Sequence, residues 1–236
     1  MSETAPFAGF SRDAVQFLVE LASHNERSWF QPRKADYERL LKEPLEALCL
    51  ALAERFEADG LPLRADPTHS PFRIYRDVRF SADKSPYKTH VSASFPWAGE
   101  GGGVGAYFHL QPGEVFAGGG MWHPEPARLA AWRQLVASDF PRVEATLEGP
   151  AFVAAFGSVG GDRLKRVPTG FAADHPGAEL LKLKDVTFGR QLSDDDIFSS
   201  HLPDTLAETF AAAVPFLELL AQLSPNETRA GWLRGG

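Results

Sequence analysis

The chain has a single cysteine, Cys49, in 236 residues. One thiol closes no internal disulfide, so a disulfide-stapled scaffold is excluded. The same scarcity suits a reducing compartment, and the expectation is a cytoplasmic protein. Long apolar runs are missing too. The longest apolar-looking stretch, 211–223, is cut by Pro215, Glu218 and Gln222 and falls short of the ~18 apolar residues a spanning helix needs. No membrane partner is expected. The opening Met1-Ser2-Glu3-Thr4-Ala5-Pro6 has neither a basic start nor an apolar centre, and does not read as a signal peptide. Positive charge is in deficit: 24 Lys+Arg against 31 Asp+Glu give a net charge of -7. That balance disfavours non-specific nucleic-acid binding, which is dominated by phosphate charge. What is present is an ordinary globular mixture, 44% hydrophobic and 23% charged, in a chain long enough to bury a core without staples.

Periodicity divides the chain into helical and extended parts. Ser11 is a good N-cap, and Ala14, Phe17, Leu18 and Leu21 recur at helical spacing, predicting a helix at 12–23. A second helical region covers 26–56. Pro32 and Pro44 each start a new piece of it, because neither can donate a backbone bond. Leu45, Leu48, Leu52 and Phe56 form one stripe. Cys49 lies beside it with no basic neighbour, which reads as a small buried thiol. From Asp59-Gly60 to Met121 the pattern turns to period two: Val91, Ala93, Phe95 and Trp97, then Val104, Ala106, Phe108 and Leu110. Gln111-Pro112-Gly113-Glu114 is a turn into a further strand at 114–121. The glycines Gly118-Gly119-Gly120 in that strand mark a bulge or a close backbone approach. Helices resume after Pro124, with Leu129, Trp132, Leu135 and Val136 on one face, and short helices follow at 140–148 and near Phe152–Phe156. Residues 157–177 read as a long Gly/Pro-rich loop, 185–191 as a last strand, and 203–222 as a helix broken or kinked at Pro215. The expected class is α+β: a mainly antiparallel sheet of four to six strands, flanked by N-terminal and C-terminal helices. One domain is expected over 10–222, with flexible tails at 1–9 and 224–236.

The common signatures of chemistry fail. Gly101-Gly102-Gly103-Val104-Gly105-Ala106 imitates a dinucleotide fingerprint, but a strand follows where a helix is required. There is no phosphate-binding loop, no nucleophile elbow and no His pair at metal-ligand spacing on a helix. The seven histidines are scattered. No metal site and no cofactor are therefore assigned.

Chemistry concentrates in 72–90, Phe-Arg-Ile-Tyr-Arg-Asp-Val-Arg-Phe-Ser-Ala-Asp-Lys-Ser-Pro-Tyr-Lys-Thr-His. Five cations (Arg73, Arg76, Arg79, Lys84, Lys88) meet two carboxylates (Asp77, Asp83) within a chain of net charge -7. Guanidinium groups present planar forks of donors that match a carboxylate or phosphate. The spacing reads as strand, irregular loop, strand, with Phe72, Ile74, Val78, Phe80 and Tyr87 seeking burial. The same residues could instead form an internal ion-pair network with Asp77 at its centre.

These residues carry a resemblance. Arg73-Ile-Tyr-Arg-Asp-Val-Arg-Phe-Ser81, Asp83-Lys84 and Pro86-Tyr87-Lys88-Thr89 resemble the signature of the bacterial and fungal family known as domain of unknown function 2461. Asn25-Glu-Arg-Ser-Trp29-Phe30 with Tyr37-Glu38, Gly118-Gly-Gly120 before Trp122-His-Pro124, Leu164 to Phe171, and Asp174-His175-Pro176 resemble its other parts in the same order. Ala82 and Thr169 stand where Lys or a similar polar residue is expected. The resemblance spans about 10–222. It implies a single domain, and no activity, substrate or cofactor.

The distal cations Arg163, Lys165 and Arg166 would frame one pocket with 73–90 if the two loops meet. His175 either joins that pocket or caps the helix that follows. The leading expectation is a small phosphorylated or carboxylated ligand held by Arg73, Arg76, Arg79, Lys84, Tyr87, Lys88, Lys165 and Arg166. Arg76 and Arg79 would act as the clamp, Lys84 or Lys88 as a mobile charge and Tyr87 as an orienting hydroxyl. Whether the chain is an enzyme stays open. Group transfer or hydrolysis would draw on Asp77, Asp83 or His109 as acid/base. Two rivals stand beside this reading. One is a nucleic-acid-binding module stacking bases on Tyr75, Tyr87 or Trp97. The other is an interaction or structural protein whose Arg/Asp/Tyr cluster is internal.

Overall fold

The computed structural model describes residues 6–100 and 102–223. The expected tails at 1–5 and 224–236, and Gly101 of the glycine run, lie outside the described residues. Residues 6–9 of the expected flexible arm are tied down: Phe7 is buried and packs edge-on to Phe10, with ring centroids 5.6 Å apart.

The helical N-terminal part follows its periodicity. Helix α1, Arg12–Ser23, starts where the Ser11 side chain accepts from the Ala14 N–H at 3.1 Å. It buries Ala14, Phe17, Leu18 and Leu21. The second region is a staircase: α2 (Arg27–Phe30), a 3-10 turn at Gln31–Arg33, α3 (Lys34–Tyr37), a π turn at Glu38–Lys42, and α4 (Glu43–Ala58). The prolines explain the steps. Pro32 lies in the 3-10 turn and Pro44 in the first turn of α4. Pro44 has no N–H to give and its ring crowds the preceding turn, so the chain widens just before it. There the Glu43 N–H reaches back to the Glu38 carbonyl. Leu45, Leu48, Leu52 and Phe56 are buried as expected, with Cys49 beside them. Burial, Glu46 and Asp66 push the Cys49 thiol up to about 12.

The sheet has four antiparallel strands in the order β1-β2-β3-β4: β1 Val91–Pro96, β2 Gly105–Gln111, β3 Glu114–Met121 and β4 Val186–Gln191. The fold is α+β. Gly113, at φ 80°, follows Pro112 in the β2–β3 turn and supplies the positive φ that a Pro-Gly turn demands at its third residue. The glycine run marks close backbone approach. A Cβ at Gly118 or Gly120 would overlap the carbonyls of Phe188 or Val186, and one at Gly119 the carbonyl of Gly105. Helices α5 (Pro126–Ser138), α6 (Phe140–Leu147), α7 (Pro150–Phe156) and α8 (Ala178–Leu181) precede β4. Helix α9 (Asp194–Phe198) follows β4 and α10 (Leu202–Ala221) closes the described chain. Helix α10 continues through Pro215 without a break. Helix α9 was not anticipated, although Ser193 and Asp196 form a capping box at its start.

The chain divides into two compact units. The first holds the chain up to Phe95, Tyr107–Ala117 and Gln191–Thr209; the second holds Pro96–Ala106, Gly118–Arg190 and the chain from Phe210. Phe30 lies at the aromatic centre of the first, stacked on Tyr87 at 4.1 Å and tilted against Tyr37 at 5.5 Å. In the second, Phe152, Phe156, Phe188 and Phe216 meet at 4.6–6.1 Å. The Trp132 indole is fully buried, and its N–H donates to the Leu180 carbonyl at 3.2 Å.

Candidate functional site

The cationic segment is held by its few buried residues. Ile74 and Tyr87 are buried, but Phe72 and Tyr75 are 45% exposed and Phe80 is 96% exposed. The expectation that all its apolar residues go inside is therefore corrected. In place of two regular strands the segment makes isolated bridges, Pro71 to Ala93 and Tyr75 to Tyr87. Asn25 fastens it: its side-chain amide donates to the Tyr87 carbonyl at 2.9 Å and accepts from the Tyr87 N–H at 3.0 Å. At 1% exposure against Phe30, Tyr87 is a core ring, not the ligand-facing hydroxyl anticipated for it.

The loop between the bridges closes on itself. Arg76 is ion-paired to Asp83, whose other oxygen accepts from the Ser85 N–H at 2.9 Å and its hydroxyl at 2.6 Å. These donors, Arg76 first, hold the Asp83 carboxyl far below the ordinary range. Arg79 clasps Asp77, with Nε 3.0 Å from Oδ1 and Nη2 2.6 Å from Oδ2. Lys84 donates to the Val78 carbonyl at 2.9 Å. The pair expected to clamp a ligand is thus engaged with internal carboxylates. Arg73 and Lys88 remain: neither side chain makes a hydrogen bond or ion pair among the described residues. Lys88 sits over the Phe72 ring at 5.0 Å. Burial, and then the charge of Arg73, lower its pKa. Lys165 and Arg166 belong to the second unit, exposed and without a hydrogen bond or ion pair among the described residues. Their neighbour Arg163 pairs with Glu179 at 3.2 Å.

Beside Lys88 lies a cluster that the sequence reading saw only in part. Strand alternation sends the sheet's apolar residues to one side. Ser92, Tyr107, His109 and Phe116 occupy the alternate positions, and His90 immediately precedes β1. The rings of His90 and His109 lie 4.4 Å apart at 36°. His109 is 8% exposed and stacks on Phe116 at 4.9 Å. Its Nδ1 is 3.1 Å from the Tyr107 hydroxyl, while its Nε2 is buried without a hydrogen-bond partner. The Gln111 side chain is close enough to favour the protonated ring, but not placed to close a bond to Nε2. Burial lowers the His109 pKa against the opposing pull of Glu114 and Gln111. Burial, His109 and Lys88 together push His90 down to about 4. The Tyr107 phenol is raised by burial, with Ser92 opposing. In sequence His90 is only the last residue of the cationic segment. Only the sheet brings it against His109.

A sequence profile of the family described as conserved hypothetical protein (DUF2461) matches residues 13–219. The chain belongs to that family. No curated protein and no solved structure matches it.

Two further histidines, His175 and His123, have defined hydrogen-bond partners. His175 Nδ1 accepts from the Gly177 N–H at 2.9 Å just before α8, and the helix itself starts without a side-chain cap. Asp185 is 3% exposed as a side chain, and its Oδ1 accepts from both the N–H and Nδ1 of His123, at 2.7 and 2.9 Å. That grip holds His123 at φ 46°, beside the 69% exposed Trp122. Among the described residues no group of three or more His, Cys, Asp or Glu could hold a metal ion, and no helix is long and apolar enough to cross a membrane.

Proposed function

We propose that this chain binds a small phosphorylated or carboxylated ligand, with Arg73 and Lys88 as the primary contacts. The carrying observation is the accounting of the cationic segment. Asp83, Asp77 and the Val78 carbonyl engage Arg76, Arg79 and Lys84. Arg73 and Lys88 are left as like charges close enough for one to depress the other. An oxyanion between them removes that repulsion and supplies the acceptors both lack. Lys165 and Arg166 are available to a ligand approaching the second unit.

The test is a thermal-shift screen against phosphate, sulfate, di- and tricarboxylates, nucleotides and short oligonucleotides. A ligand at ~100 times its Kd adds about 2.7 kcal/mol to stability. Such a shift, lost in Arg73→Ala/Lys88→Ala while that variant still melts cooperatively, supports the reading. A shift with oligonucleotides alone, collapsing steeply with salt, favours the nucleic-acid module.

A second reading has its own support. The Arg76–Asp83 and Arg79–Asp77 pairs, with the Asn25–Tyr87 clamp, fit a network that shapes a loop for interaction with another protein. That reading gains if no anion shifts the melt and Arg76→Ala alters the loop's protease sensitivity.

A further inference from the structure

We propose that the anion site of Arg73 and Lys88 extends onto the paired imidazoles of His90 and His109, and that a doubly charged oxyanion is captured there together with one proton. The inference rests on the anion-binding reading and goes further, to ligand charge class and proton linkage.

Geometry comes first. His90 lies two residues beyond Lys88 in sequence, with its ring 4.4 Å from that of His109. His109 is locked from two sides, by the Phe116 ring at 4.9 Å and the Tyr107 hydroxyl at 3.1 Å. Its Nε2 nevertheless has no partner at 8% residue exposure. Leaving a buried polar atom without a partner is costly, so His109 Nε2 points to a ligand group that can pair with it. Phe72, edge-on to Tyr107 at 6.2 Å, is 45% exposed, and Lys88 lies over it.

Charge selects the occupant. The groups facing the imidazole pair are Lys88 from the cationic segment, Tyr107 and Gln111 from β2, and Glu114 from β3; the charge of Arg73 acts on Lys88 and on Asp77. Two fixed cations repel a metal ion and favour an anion. Two fixed cations also match a dianion better than a monocarboxylate. Burial, the His109 ring and Lys88 all oppose a proton on His90. A dianion offsets the two cations, and His90 can then take a proton from solvent and donate to the ligand. The balance is simple: protein, dianion and one solvent proton form a complex in which no covalent bond changes.

Sulfate is the probe, because it stays a dianion across the working range and any pH dependence belongs to the protein. Its binding is measured by titration calorimetry from about pH 7.5 to about pH 5, where one linked proton tightens Kd by at most about tenfold per pH unit. The expected results are tighter binding at lower pH, a heat that varies with the ionisation enthalpy of the buffer, and weaker binding of acetate. His90→Gln should weaken sulfate binding most at pH 5 and flatten its pH dependence. A proton NMR titration of the His90 ring should show it charging as sulfate is added, which reads the site without a variant. Sulfate binding that is flat with pH and indifferent to buffer overturns this inference and leaves the anion-binding reading standing. Retention of the full pH dependence in His90→Gln overturns it as well. No binding of sulfate, phosphate or any di- or tricarboxylate at any pH overturns both.

Discussion

Asn25→Ala is the sharpest probe of how the cationic segment is held. The wild-type amide closes two hydrogen bonds to the backbone of Tyr87, 62 residues away in sequence. The tyrosine is 1% exposed and stacked on Phe30 at 4.1 Å. Removing the amide deletes both bonds and leaves a donor and an acceptor of a buried residue without partners, a loss of about 2–4 kcal/mol in all. For a chain of this length that lowers Tm by about 4–16 °C. Urea titration followed by tryptophan fluorescence measures it, since Trp29 lies on the same staircase of helices. Asn25→Asp refines the test. It keeps the acceptor for the Tyr87 N–H but turns an oxygen toward the Tyr87 carbonyl, where only a protonated carboxyl can donate. The folded-state pKa of that carboxyl is thereby raised, so its contribution is present at low pH and lost as pH rises through the raised value. Asn25→Asp should therefore lie closer to wild type near pH 4 than near pH 7. A loss below about 0.5 kcal/mol in Asn25→Ala, or no pH dependence in Asn25→Asp relative to wild type, would refute the clamp as the fastening of this segment.

Three further outcomes follow from named groups. His90, held down to about 4 by burial, His109 and Lys88, binds a proton in the unfolded chain before it does so in the folded one. Stability contributed by its neutral form is present above about pH 6.5 and lost as pH falls toward the folded value. His90→Gln should flatten that part of the pH–stability profile, and an unchanged slope would remove His90 from the account. The Cys49 thiol, pushed up to about 12, should resist a thiol reagent at mild alkaline pH until urea unfolds the chain; rapid labelling of native protein contradicts its burial. Gly120→Ala places a Cβ on the Val186 carbonyl at φ 115°. It should destabilise by about 3 kcal/mol or more, and a variant melting like wild type refutes the close approach of these strands.

Local rules carried far in this sequence. The spacing of Ala14, Phe17, Leu18 and Leu21 predicts α1, Ser11 its start, and Pro32 and Pro44 the steps of the staircase, because periodicity, caps and missing N–H groups act within a turn or two. Alternation at 91–97 and 104–111 and the Pro112-Gly113 turn predict the sheet strands, and the glycine run predicts close approach, for the same reason. The order of motifs is enough to resemble the family. Tertiary structure alone decided which charges are engaged. Arg76 and Arg79 look like a clamp in sequence, but the loop's path turns them onto Asp83 and Asp77. It also decided what meets at long range: Asn25 with Tyr87, His123 with Asp185, and His90 with His109. Such contacts depend on how the sheet pairs and how the helices fold back, and those depend on burial summed over the whole chain. No local pattern encodes that sum.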